Sequence, residues 1–164
     1  MDPLIDQLVN SAALGDLAAC QFFLGRGANI NGENSMGDTA LHAATRSGNR
    51  DLVVELIRSR AAFDGECYVG CSLIHVAVAY GYSDICLALI DAGASVENTS
   101  NLEQTPLMLA AWMGYAAVCH TLMRGGATLD ACDPEGRTAL SWAALTGSVD
   151  SCAALLERGA NVGE

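Results

Sequence analysis

The side chains best equipped for chemistry in this sequence are three histidines and seven cysteines. His42 and His75 each stand three positions after a hydroxyl residue, Thr39 and Ser72. A histidine at that spacing suits hydrogen bonding at a helix start, and neither has a nucleophile at a spacing that would make it a catalytic base. His120 falls in a separate helical stretch whose pattern fits a half-buried or a solvent-facing ring equally well. Four of the seven cysteines, Cys20, Cys86, Cys119 and Cys152, share one phase of a 33-residue period. Packed helices lie about 8–10 Å apart, beyond the roughly 7 Å Cα separation a disulfide tolerates, so these thiols read as small core residues. Cys67 and Cys71 form a C-x3-C pair without the second pair that zinc would need. Cys132 falls in a turn region, exposed and open to oxidation, and nothing marks it as reactive. Phosphate-cradling loops, H-E-x-x-H and G-x-S-x-G do not occur. The expectation is a chain with no catalytic centre, no metal and no cofactor.

The elements that must position these residues follow the same period. The tetrapeptides starting at Thr39, Ser72, Thr105 and Thr138 are spaced 33 residues apart, as are Gly15, Gly48, Gly81, Gly114 and Gly147. Ala28, Ala61, Ala94, Ala127 and Ala160 keep the interval too. A fixed period of about 20–50 residues marks a solenoid whose units bury apolar faces against one another. Thr39 and Thr105 predict helix caps, and Pro106 suits a first helical position. The first helix of each unit closes at Gly48 or its equivalents. A second follows, with Leu52, Val53, Leu56 and Ile57, or Ile85, Cys86, Leu89 and Ile90, at helical spacing. It stops near Gly27, Gly93, Gly126 or Gly159, and a polar, turn-rich hairpin or loop leads onward.

The Thr-Pro-Leu-His-like tetrapeptides resemble those of the ankyrin repeat family. So do the pairs Ala43 and Ala44, Ala110 and Ala111, Ala143 and Ala144, and the Gly-Ala that follows each second helix. The resemblance spans essentially the whole chain. It implies an all-α repeat solenoid, an ankyrin-type stack of helix-turn-helix units with short β-hairpin loops, that binds proteins and has no catalytic centre. The domain would run over 1–164 as one unit, with repeats at about 1–33, 34–66, 67–99, 100–132 and 133–164. Some positions depart from the pattern. Arg60 and Glu103 occupy places where other repeats carry glycine, and a side chain in a left-handed conformation costs on the order of 1 kcal/mol. Met108 and Ser141 replace the family histidine. The first repeat lacks a hairpin and opens on Asp2 and Pro3, as a terminal cap would. Val149, Cys152, Leu155 and Leu156 keep an internal repeat's apolar pattern, so further protein is expected after Glu164.

Composition narrows the partners. Nineteen acidic against eight basic residues give a net charge of -11, which opposes nucleic acid and anionic lipid. No stretch matches the roughly 20 apolar residues of a bilayer span, and Met1 to Leu14 lacks the features of a secretory signal. The Asn98, Thr99, Ser100 acceptor sequence therefore reads as a turn. Unpaired cysteines fit a cytoplasmic or nuclear setting. The expected partner is a protein carrying some basic residues, drawn by Asp38, Glu97, Glu103 and Glu135, and the chain alone is expected to be a monomer.

In the family, ligands lie in the concave groove between hairpin tips and first helices. By repeat phase the partner-binding positions here are Met36, Arg46, Tyr68, Tyr80, Leu102, Trp112, Met113, Arg137 and Leu145. Trp112 and Tyr80 are expected to be exposed anchors, and Trp142 to lie inside. For Tyr82 and Tyr115, contact with a partner and packing between repeats stand as equal alternatives. The leading function is a non-catalytic scaffold; the alternatives are a targeting or regulatory portion of a larger enzyme and a compact enzyme inhibitor.

Overall fold

Polar residues that can accept a backbone N–H, followed by short apolar runs and a glycine, produce helix pairs. The computed structural model describes residues 2–63 and 71–162. Among them the helices are α1 (Pro3–Ala13), α2 (Leu17–Gly25), α3 (Ala40–Arg46), α4 (Arg50–Arg58) and α5 (Leu73–Ala79). They continue with α6 (Ser83–Asp91), α7 (Pro106–Met113), α8 (Ala116–Arg124), α9 (Ala139–Leu145) and α10 (Val149–Glu157). Asp2, Thr39, Thr105 and Thr138 accept from the first turns of α1, α3, α7 and α9, as the sequence predicts for Thr39 and Thr105. At Thr39 the cap is reciprocal, because the His42 ring accepts from the Thr39 N–H.

Odd-numbered helices form one layer, with α1 on α3, α3 on α5, α5 on α7 and α7 on α9. In the second layer α4 packs on α6, α6 on α8 and α8 on α10, and each of these folds back on its own first helix. The seam is apolar: Leu41, Ile74 and Leu107, one per repeat at the same phase, are at most 1% exposed. Cys20, Cys86 and Cys119 are buried beside the leucines of the second layer, and Cys152 is half-buried. Burial pushes the Cys86 thiol up to about 12, with the Asp84 charge adding to the shift, as suits core filler rather than a reactive group. Asparagine and acidic side chains also lace neighbouring repeats, since Asn31, Glu97 and Asp130 accept from the N–H of Ala62, Thr128 and Asn161 at 2.7–2.9 Å.

The hairpin turns are built by paired backbone bonds. The Asn34 N–H donates to the Asp38 carbonyl and the Gly37 N–H to the Asn34 carbonyl, and the pattern recurs at Ser100 to Gln104 and Asp133 to Arg137. No continuous strand is formed among the described residues. Arg60 and Glu103 adopt left-handed φ values of 71° and 55°, as their glycine-equivalent positions predict. Gly48 answers two demands at once. Its φ is +74°, and a Cβ would lie 2.8 Å from the Tyr82 ring.

Candidate protein-binding face

Hairpin turns and first helices bring their side chains to one side of the stack. Met36 stands at a hairpin tip, 64% exposed, its N–H held by the Asn34 side chain at 2.9 Å. Leu102 occupies the same place two repeats on and is 74% exposed. Trp112 and Met113 close α7, Tyr80 follows α5, and Leu145 ends α9; all four are exposed. Tyr68 lies outside the described residues, as does Cys67 of the C-x3-C pair.

A groove of about 470 Å³ brings Met36, Arg46 and Tyr80 together with His42, Val76 and Leu109. Leu102, Trp112, Met113, Arg137 and Leu145 do not line that groove. Val76 and Leu109 were not singled out from the sequence. Their signal was steric, bulky residues at the phase where the second repeat has Ala43.

The charged residues are more engaged than their spacing suggests. Asp38, expected as a steering charge, is 4% exposed and pairs with Arg46. Arg137 binds Asp133 at 2.8 Å and Glu135 at 2.7 Å, and its guanidinium lies 4.1 Å from the centre of the Trp142 ring. Trp142 is half-buried, and its Nε1–H donates to Asp133 at 3.1 Å. Withdrawal from solvent acts to raise the Asp133 pKa, but hydrogen bonds from the Arg137 backbone and side chain, the Arg137 charge and the Trp142 N–H hold it below the usual carboxylate value.

Tyr82 and Tyr115 follow the packing alternative. Tyr82 sits against Gly48 and Tyr115 against Gly81, filling the space beside the preceding repeat's turn, while Asn49 does the same at Gly15 and donates to its carbonyl at 3.1 Å. The Tyr80 ring stacks on Tyr82 at 5.7 Å, so an exposed aromatic rests on a fixed one.

His42 and His75 serve the structure. Each ring meets its cap hydroxyl, Thr39 at 2.9 Å and Ser72 at 2.8 Å, and His75 Nε2–H donates to the Gln104 carbonyl at 3.1 Å. Burial lowers the pKa of both. No cluster of three or more metal-ligating side chains occurs among the described residues, and no helix there is long and apolar enough to cross a membrane.

No curated protein matches the chain. A family model described as "Ankyrin repeats (3 copies)" matches residues 8–100 and 93–164. That match runs through the same helix pairs, hairpin turns and left-handed closures that the 33-residue period predicts, and the chain belongs to the ankyrin repeat family.

Proposed function

We propose that the chain is a non-catalytic module that holds a segment of another protein along the face made by its hairpin turns and first helices. The observation that carries this is the row of large apolar side chains left in solvent there: Tyr80 at 52%, Trp112 at 45% and Met113 at 38% exposed. The seam between repeats does not use them, and aromatic residues in such a position supply the anchors of protein interfaces. Ankyrin repeats are in general protein-interaction modules without a catalytic centre. The charge of -11 and the exposed Glu33 and Glu103 favour a partner with lysine or arginine, mainly through the rate of encounter. A reducing compartment, cytoplasmic or nuclear, suits the free thiols.

Replacing Tyr80 and Trp112 together by alanine tests the location. The variant should keep the helical circular dichroism of the parent and lose one or more proteins that the parent recovers in affinity purification. Unchanged recovery would place the contact elsewhere.

A second reading, a regulatory module within a larger enzyme, draws on the apolar face that α9 and α10 leave uncovered, where Leu156 is 46% and Val149 76% exposed. An antibody to the domain separates the two on a denaturing gel of native material. A band near 17.0 kDa favours the free-standing module, and a much larger one the second reading.

A further inference from the structure

The second helices of neighbouring repeats meet in one register, and its two halves stand open at opposite ends of the chain. The hydroxyl of Ser83, the first residue of α6, meets that of Thr121, the sixth of α8, at 2.7 Å. Arg50 and Ala88, first in α4 and sixth in α6, line one groove together with Arg58 and Asp91. Further along, Ile90, eighth in α6, packs so closely on Gly125, just past α8, that a Cβ there would lie 2.9 Å from Ile90 Cδ1. In α10 the first and eighth residues are Val149 and Leu156, 76% and 46% exposed, and in α2 the sixth is Phe22, 57% exposed.

We propose that the chain stacks end to end with a second copy of itself, α10 of one copy lying against α2 of the next. The same register then sets Val149 on Phe22 and Leu156 on the apolar stem of Arg26. Charge agrees with this pairing, because the exposed Glu157 comes to stand beside the exposed Arg26, whose guanidinium already lies 5.6 Å from the Phe22 ring centre. A second copy is therefore the occupant: it carries the missing half of the junction, apolar where α10 is apolar and basic where α10 is acidic. The first-helix layer contributes little, since Gln7 is exposed at the phase where Ala40, Leu73, Pro106 and Ala139 are buried. The contact is thus weak and concentration-dependent, where the sequence alone predicts a monomer. It joins unlike ends, so copies add in an open series, whose length the charge of -11 on each copy limits.

Sedimentation equilibrium of the intact chain from about 10 µM to about 1 mM, in about 0.15 M salt, tests this. The average mass should rise with concentration and pass that of a dimer. Phe22→Glu blocks one end with the residue that the second repeat carries at that phase as Glu55. Val149→Asp blocks the other with an acid that suits a first helical turn. Circular dichroism checks that each variant is folded. Alone, each should associate about tenfold or more weakly than the parent. An equimolar mixture of the two should form one-to-one dimers and stop, because the intact α10 end of the first meets the intact α2 end of the second. Arg26→Glu and Glu157→Arg should each weaken association, and the chain carrying both should regain it. Monomers at every concentration overturn the proposal. So do dimers that grow no further and ignore Phe22→Glu, which would pair two α10 ends, and a mixture that associates no better than its components.

Discussion

Arg60 and Glu103 hold left-handed backbone angles that matching positions in other repeats give to glycine. That conformation costs a residue with a Cβ about 1–2 kcal/mol, and the extra freedom of glycine in the unfolded chain returns part of it. Arg60→Gly and Glu103→Gly should therefore each raise stability by about 0.5–1 kcal/mol in urea titrations. The reverse exchange separates two demands on glycine. Gly159→Ala meets strain alone, since its Cβ would enter open space, whereas Gly48→Ala also drives a Cβ to 2.8 Å from the Tyr82 ring. Gly48→Ala should be the more damaging by about 1 kcal/mol or more, and equal losses would mean that Tyr82 yields freely. The buried histidines set a pH dependence. His42 and His75 have pKa values lowered chiefly by burial, so between pH 7.5 and 5.5 the unfolded chain, titrating near about 6.5, takes up protons that the folded chain refuses. Stability is full above that value and falls as the pH drops through it. Urea midpoints at the two pH values should show the fall, and the variant with both His42→Met and His75→Met should lose most of it.

At the scale of the helix, burial at a given phase predicts the cost of truncation. Leu107 in α7 is 0% exposed and lies between repeats, while Leu156 in α10 is 46% exposed. Leu107→Ala should cost about 2–5 kcal/mol, and Leu156→Ala under about 1 kcal/mol, both by chemical denaturation. Helices, caps and turns were legible in the sequence because each depends on neighbours in the chain: Thr39 caps a residue three positions away, and Gly48 closes its own turn. The exposure of Trp112 and Tyr80 was legible for a related reason, since one repeat phase implies one direction. The groove was not, because Met36, Val76 and Leu109 reach it from three successive repeats and only stacking brings them together. Asp38 looked free to steer a partner until the fold set Arg46, eight residues on, against it. For Tyr82 the sequence left packing and partner contact as equal alternatives, because the glycine it covers lies 34 residues earlier.

In the whole stack each repeat is stabilised only by its neighbours, so cooperativity runs along one dimension and the ends are its weakest part. Positions one period apart differ in burial between the fourth and fifth repeats. Leu107, Ala111, Cys119 and Met123 are buried at 9% exposure or less, whereas their counterparts Leu140, Ala144, Cys152 and Leu156 are half-buried or exposed. The helix pair α9 and α10 therefore has one packed face where α7 and α8 have two. The first repeat is less exposed to this loss in one respect: Asp2 and Pro3 give α1 a firm start, and α1 lies along α3. Local opening should then cost least in α9 and α10 and most in α5 to α8. Native-state hydrogen exchange read amide by amide checks this order, with protection falling from Leu122 in α8 to Leu155 in α10 although both side chains are 0% exposed. Equal protection at those two amides would show that the stack opens all at once, and the one-dimensional account of its stability would have to be abandoned.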